Sequence, residues 1–494
     1  MRSTGSSSAA SRYPRPLARF DFAKEFKEAI LELQEVFTPD QVTTDEDELS
    51  LHGVSPNSHH KPANPACVFY PTCTEDVQKA VVIASRHRMP ITPFSGGTSL
   101  EGHITAPHGG LCVDLSRMDK VIAFHEGDSD IVVQSGITWQ GVNEYLDEAN
   151  LKHPLFFPLD PGPSATVGGL VSTGGSGTNA MRYGTARAEW ILNLTVVMAN
   201  GEIIKTRARS RKSSAGFDLT KTFIGAEGTL GVVTEATLRL TPKLPTRVAV
   251  CNFPGGIESA VAAAVEIITR GAPLQCAELV DSTSVMAINK SGTCPLQFKE
   301  ADSLFFKFQG DSDMIQLASK SVAEIVKSHG GQDLLFASSQ EESDDIWHGR
   351  KTLHWNIMAL RPGAQAYSTD VCVPISKLPK LVKDTQEDLR QNGIFGPCLG
   401  HVGDGNFHTG MLFEGEEEFK KVHAAASRMV ARAQALEGTA SGEHGIGVGK
   451  KQYLERELGR GTLEVMQAIK DLLDPQGIMN PGKLYPDLEG PSSK

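Results

Sequence analysis

The stretch GSGTNA (Gly175 to Ala180) satisfies the pattern G-x-G-x-x-A, and the residues immediately C-terminal to it decide the fold. A dinucleotide-binding crossover needs a strand before those glycines, a helix after them and an acidic residue at the end of the next parallel strand. Here the next β-run is TVVMANGEIIKT, in which alternating apolar residues flank Asn200-Gly201, a preferred pair for a tight hairpin. A chain that reverses there has no parallel crossover, so the Rossmann fold is excluded. The same texture runs from about residue 65 to 245, where β-runs such as ACVFYP, PITPF, GLCVDLS, DIVVQSGI and GVVTEATLRLTP alternate with glycine-rich loops. That alternation predicts an α+β domain built on hairpins as well as crossovers.

The rest of the chain divides by pattern. Residues 21–64 begin with FAKEFKEAILELQEVF, whose apolar spacing of three and four predicts a cap helix. Residues 246–430 alternate helical and extended runs (IESAVAAAVEIITRG, SLFFKFQG, MIQLASKSVAEIVKSHG, YSTDVCVPI) and form a second domain, while residues 431–494 return to glycine-rich loop and helix. Residues 1–20 carry Arg2, Arg12, Arg15 and Arg19, several serines and no acid, a composition that fits either a mitochondrial transit peptide or a disordered tail.

Composition removes several function classes. The formal charge of −11, with no Lys/Arg cluster interleaved with aromatics, argues against a nucleic-acid partner. Eight cysteines without any C-x-x-C argue against a disulfide framework, a zinc ribbon or an iron–sulfur cluster, and predict buried, reduced thiols. No apolar run approaches the roughly 20 residues of a membrane span. The expectation is a soluble or peripheral protein.

Three glycine loops and one histidine pair carry the chemistry. PITPFSGGTSLEGH (Pro90 to His103), LDPGPSATVGGLVSTGGSGTNAMRYG (Leu159 to Gly184) and FIGAEGTLGVVTEATLRL (Phe223 to Leu240) can each expose backbone N–H groups as an anion nest. Together they could wrap one large phosphate-bearing cofactor. GEHGIGVGKK is no Walker loop, because His444 and Lys451 occupy the first glycine and the Ser/Thr positions. In HVGDGNFH, a two-residue turn at Asp404-Gly405 would set His401 directly across from His408, so that two imidazoles could converge on one ion. A surface hairpin with idle histidines is the alternative.

PFSGGTSLEGH, PGPSATVGGLVSTGG and GAEGTLGVVTEATLRLTP resemble, in order and spacing, the FAD-binding domain of the vanillyl-alcohol-oxidase/p-cresol-methylhydroxylase superfamily. HVGDGNFH, SGEHGIGVGK and DPQGIMNPGK further resemble its D-2-hydroxyacid dehydrogenase branch, and YSTDVCVPIS is most similar to the mitochondrial, D-lactate-oxidising members. The resemblance covers nearly everything after about residue 30. It implies an α+β fold in which a two-subdomain FAD-binding domain carries an α+β substrate-binding cap. By motif correspondence, Ser95, Gly96, Gly97, Thr98, Ser99, Gly168 and Gly169 line the pyrophosphate. Pro161, Gly162, Thr166, Ser172 and Ser176 run along the cofactor, and Glu227, Gly228 and Val233 complete its pocket. His103 raises a covalent link to the flavin, but the branch implies noncovalent FAD.

The same correspondence makes His401, His408 and Glu443 ligands of a divalent metal, a His₂Glu set with an open position. Zinc, manganese and iron all accept such N/O donors. Oxidising a 2-hydroxyacid removes a hydroxyl proton and the Cα hydrogen with its electron pair, and His444 is the expected base. Arg350 is the expected carboxylate fork; by its own context it would instead pair with Asp344 or Asp345. Relatives acting on D-2-hydroxyglutarate carry a lysine near the strand where this chain has Ser368, so D-lactate is the first expected substrate, ahead of longer aliphatic D-2-hydroxyacids and glycolate; a D-2-hydroxyglutarate dehydrogenase and a non-redox flavin transferase of the ether-lipid synthase type are the alternatives. An electron acceptor such as cytochrome c, and a mitochondrial or alternatively cytoplasmic location, complete what the resemblance implies.

Overall fold

The computed structural model describes residues 26–486, so the candidate transit segment lies outside the described residues. Three larger sheets and one two-stranded pair organise the described residues. The first begins with Cys67–Phe69, crosses through the helix Thr74–Arg86 to Ile91–Phe94, and receives Leu111–Asp114 between them in parallel register. The helix earns its inward face by pattern: Val77, Ala80, Val81 and Ala84 are buried, one per turn or nearly so.

The N-terminal segment is part of this sheet's subdomain. Its helix Lys27–Val36 buries Ala29 and Leu33, and Val42–Thr43 pairs antiparallel with Val68 and Phe69. The helix expected from FAKEFKEAILELQEVF is present at Lys27–Val36, and it extends the first layer, because Leu33 and Phe37 fill the same core as Phe69 and Val77.

The second sheet is fully antiparallel, in the order Val121–His125, Asp130–Gln134, Val232–Arg239, Ile191–Val197, Ile203–Lys205. The reversal at Asn200-Gly201 is present, as a tight turn closed by a left-handed glycine. Gly201 N–H donates to Met198 O at 2.8 Å, Met198 N–H donates to Glu202 O at 2.9 Å, and Gly201 has φ +81. A helix, Val167–Thr173, precedes the GSGTNA stretch where a Rossmann unit requires a strand.

The third sheet has eight strands and begins with Thr246–Asn252. Phe305, Phe306 and Phe308 are buried on both of its faces, each burial stabilising by about 1.5–3 kcal/mol. Helices Ile257–Thr269, Ser312–Ser328 and Leu378–Gln391 cover one side. Gln340–Lys351 and Leu353–Met358 cover the other. The helix Gly415–Ala435 runs across the boundary expected at 430. Beyond it the chain returns to the first sheet, where Met479 bridges Ile91 and Asn480 N–H donates to Ile91 O at 2.7 Å.

Candidate active site

The edge of the third sheet brings the two histidines together, by a route different from the expected one. Leu399, and not His401, lies opposite His408. Val402–Asp404 forms a 3₁₀ turn and only Gly405 is left-handed, at φ +78. The two-residue hairpin is thus overturned: Val373 O would lie 2.1 Å from any Cβ at position 405, and the chain curls tightly there to pass beneath the strand Val371–Cys372. The imidazoles nevertheless meet edge to face, 5.5 Å between centroids.

Each of the three candidate ligands has its outer atom engaged and its inner atom turned to one point. His401 Nδ1 lies 2.9 Å from Glu278 Oε1, and His408 Nδ1 lies 3.0 Å from Thr369 O. Ser176 Oγ donates to Glu443 Oε2 at 2.6 Å. Glu443 Oε1 sits 3.0 Å from His401 Nε2 and 3.4 Å from His408 Nε2. With Nδ1–H donated outward, each ring can present its Nε2 lone pair inward to a cation once Nε2 carries no proton, the tautomer a metal ligand needs. A second grouping, Asp370 with His408 and His444, also has its ligand atoms within 4.8 Å of one another. It is the poorer donor set, because Asp370 already accepts from Asn406 Nδ2, Ser441 Oγ and the backbone N–H groups of Glu443 and His444.

His444 stacks on His408, 5.0 Å between centroids and 12° from parallel. Its Nδ1 is buried without a hydrogen-bond partner and lies 4.0 Å from Asp370 Oδ2, which leaves Nε2 on the cavity side. Burial pushes the ring down to about 4; Asp370 opposes this and Lys450 and His408 add to it. It is a neutral imidazole near pH 7, able to accept a proton.

Arg350 is 5% exposed, and its partner is Glu278 at 2.6 Å, not Asp344 or Asp345. Helix Gln340–Lys351 turns that face toward the sheet because Ile346, Trp347 and Arg350 form its buried side. One nitrogen of the fork is anchored; Nε is buried and unpartnered.

All the expected cofactor residues line one cavity of about 360 Å³ with Arg350, His401, His408, Glu443 and His444. Its first and second loops are tied by Ser95 Oγ and Thr166 Oγ1 at 2.6 Å, and Thr166 caps the helix that carries Gly168 and Gly169. Close packing demands the glycines: a Cβ at Gly96 would lie 2.8 Å from Ser164 O, and one at Gly168 2.8 Å from Ser135 Cβ. Ser99 Oγ and His103 Nδ1 are buried without hydrogen-bond partners, polar groups that a ligand in this cavity would satisfy. The residues fit FAD. Two assignments change in kind, however, since the Ser176 hydroxyl is committed to Glu443 and the Glu227 carboxylate to the backbone of Ile446 and Gly447.

Sequence reasoning missed Glu278, Asp370, Glu101 and Lys450. Glu278 had a signal, an acid inside the otherwise uncharged strand Leu274–Val280, whose seven residues are all buried. Buried acids of that kind need partners. Asp370, in an ordinary Ser-Thr-Asp, had none.

Comparison with known proteins identifies the family. Residues 65–207 match the FAD binding domain family, and residues 244–484 match the family described as FAD linked oxidases, C-terminal domain. The chain is 43% identical over 465 residues to a mitochondrial D-lactate dehydrogenase [cytochrome] of Arabidopsis thaliana, covering 93% of this chain and 80% of that one. It is 42% identical to a probable mitochondrial D-lactate dehydrogenase of Danio rerio, covering 86% of each. Among solved structures, p-cresol methylhydroxylase superposes with TM-score 0.74 at 18% identity, over 93% of this chain and 96% of that one, a likeness of fold.

Proposed function

The chain belongs to the FAD-linked oxidases, in their D-lactate dehydrogenase branch, and from that premise we propose that it oxidises D-lactate to pyruvate at the Arg350–His401–His408–Glu443–His444 site. The observation that carries this reading is the His₂Glu set with every outer atom engaged, beside a neutral, buried His444.

Arg350, braced by Glu278, binds the substrate carboxylate and sets which face of Cα turns toward the cofactor. His444 Nε2 takes the hydroxyl proton as the Cα hydrogen leaves with its electron pair, so the carbinol becomes the ketone. FAD held by Ser95 to Ser99, Thr166, Gly168, Gly169, Gly228 and Val233 supplies the two-electron acceptor, and a zinc or manganese ion held by His401, His408 and Glu443 supplies Lewis acidity at the hydroxyl. Asp370 fixes the backbone at Glu443 and His444 by accepting both of their N–H groups.

The lining limits substrate size. Ile357, Leu399, Ser368 and Gly410 surround the space beside His408, and the one lysine that lines the cavity, Lys351, is paired with Asp160 at 2.9 Å. Among the described residues that line the cavity, Arg350 and Lys351 are the only arginine or lysine side chains, which leaves none for a distal carboxylate and favours a short side chain over D-2-hydroxyglutarate. The two relatives are named mitochondrial and one carries cytochrome in its name; we extend to this chain a mitochondrial location and transfer of electrons to a cytochrome.

The test is anaerobic. The metal-replete holoprotein is mixed separately with D-lactate, L-lactate, glycolate and D-2-hydroxyglutarate while oxidised-flavin absorbance is followed. Fast bleaching by D-lactate, lost in His444→Gln and on chelation, is expected. An oxidised flavin after all four acids would sink the assignment and leave only cofactor binding.

A further inference from the structure

The segment Ser441 to Lys450 carries both Glu443 and His444, yet only turns and bends occur in it. Its backbone N–H groups must therefore be satisfied largely from outside. Ser441 N–H donates to Thr439 Oγ1 at 3.2 Å and Lys450 N–H turns back to Ile446 O at 3.0 Å, while most of those between them end on three acidic residues from three different parts of the chain. Glu443 and His444 N–H donate to Asp370 Oδ2 at 2.9 and 2.8 Å. Ile446 and Gly447 N–H donate to Glu227 Oε1 and Oε2 at 2.6 and 2.8 Å. Val448 N–H donates to Glu101 O at 2.9 Å, and Lys450 Nζ bridges Glu101 Oε1 at 3.1 Å and Asp370 Oδ2 at 3.5 Å.

The glycines are what lets those acids approach. A Cβ at Gly445 would lie 2.8 Å from Glu227 Oε1, one at Gly447 2.1 Å from Glu101 O, and one at Gly449 2.3 Å from Glu101 Oε2. Glu227 is itself held in the left-handed region, φ +53, a conformation disfavoured for a side chain of its size. Its N–H donates to Ser172 O at 2.9 Å and its carbonyl accepts from Asn480 Nδ2 at 2.7 Å. Both carboxylate oxygens are thus spent on the loop, with His103 Nε2 3.2 Å from Oε2.

We infer that Glu227 is a positioning residue for the reaction: its carboxylate holds the backbone of the loop bearing Glu443 and His444, and does not ligate the cofactor whose pocket its backbone helps to wall. This rests on the reading of Glu443 and His444 given above. Glu227 is the middle grip of three, and the one at which the third glycine loop of the cofactor domain is fastened to the catalytic segment.

The test is Glu227→Gln in the holoprotein. A glutamine has one acceptor oxygen, and its NH₂ must face either Ile446 N–H or Gly447 N–H. Three quantities are read: amide exchange in a peptide covering 442–450, FAD content by absorbance, and the rate of flavin reduction per bound flavin at saturating D-lactate. Exchange at least tenfold faster, FAD content within twofold of the parent, and reduction at least thirtyfold slower are expected. Loss of FAD with unchanged exchange makes Glu227 a cofactor ligand and overturns the inference. A lower Tm with unchanged reduction per bound flavin overturns it too, as a merely structural role. If Glu227→Gln does not fold, Gly447→Ala displaces the same loop from the Glu101 side and is expected to give the same three results; unchanged exchange or unchanged reduction per bound flavin there overturns the inference too. If no hydroxyacid reduces the parent flavin, the functional reading fails by itself, while exchange and FAD content still decide what Glu227 holds.

Discussion

Glu278 is the residue on which two functions lean, and replacing it separates them. Its carboxylate accepts from Arg350 at 2.6 Å and faces His401 Nδ1 at 2.9 and 3.0 Å, with a relative exposure of 1%. Charge-assisted hydrogen bonds contribute about 1.5–3 kcal/mol each, against about 1 for neutral ones. Glu278→Gln keeps the volume but offers one acceptor to two donors, so roughly 1–2 kcal/mol of the force orienting His401 is lost. Loss of such an outer partner weakens metal binding by about 10–100-fold. Competition against a fluorescent chelator, with Zn²⁺ and Mn²⁺ in parallel, measures it. Glu278→Leu goes further and leaves Arg350 a buried, unpaired cation, costing about 3–5 kcal/mol in urea or thermal unfolding. Metal affinity in Glu278→Gln within twofold of the parent would refute the claim that Glu278 sets the His401 tautomer.

Three other perturbations have directions fixed by the geometry. Arg350→Lys keeps the charge and loses the fork, so the KM for D-lactate should rise by about 10–100-fold with FAD content unchanged, as read in steady-state assays. Gly410→Val should raise KM for longer 2-hydroxyacids more than for D-lactate, because a Cβ there already contacts Ile357 at 3.5 Å on the cavity wall. Lys483 is 2% exposed, and burial pushes it down to about 7, with Cys112 and Glu227 opposing. Between that value and the unfolded 10.5 the unfolded chain binds the extra proton, so stability rises with pH across the window, by on the order of 4–5 kcal/mol; Lys483→Met should flatten this rise in unfolding free energy measured from pH 7 to 10.

What the sequence disclosed depended on whether a structural need left a local mark. The three glycine loops are legible because close backbone approach can be met only by glycine, and Gly96, Gly168 and Gly447 each face an atom a side chain would strike. Hairpin strands are legible through alternation, as at Ile191–Val197, where Asn193 and Thr195 interrupt the apolar run even though the fold buries nearly all of the strand. The register at His401–His408 was not: Gly405 can close a two-residue turn or end a 3₁₀ turn, and the pull of Val371–Cys372 on the partner strand comes from residues some 35 positions away. Arg350 illustrates the same limit. Nearness in sequence offered it Asp344 and Asp345, whereas the fold supplied Glu278 from the strand Leu274–Val280. Long-range charge pairs write nothing into local pattern, which is why Asp370 and Lys450 stayed invisible beside the motif they hold.

The charge balance at Glu443 has a consequence for how an ion enters. Burial pulls the His401 ring down, but Glu278 and Glu443 outweigh it and hold the imidazole well above its usual range. Burial likewise pushes Glu443 up, and His401 and His408 outweigh that, holding it well below the usual carboxylate range. In the metal-free protein His401 is therefore doubly protonated, and its Nε2–H occupies the 3.0 Å gap to Glu443 Oε1 that the cation would enter. Binding must expel that proton, because a coordinating nitrogen needs its lone pair. Since the folded, metal-free state favours the protonated ring, apparent affinity falls by about tenfold for each pH unit below the raised imidazole value. Calorimetric titration of the apoprotein with Zn²⁺ at pH 7, in buffers of different ionisation enthalpy, should report close to one proton released per ion. Release near zero would mean that His401 is neutral before the ion arrives, and the ion-pair account of this cluster would have to be abandoned.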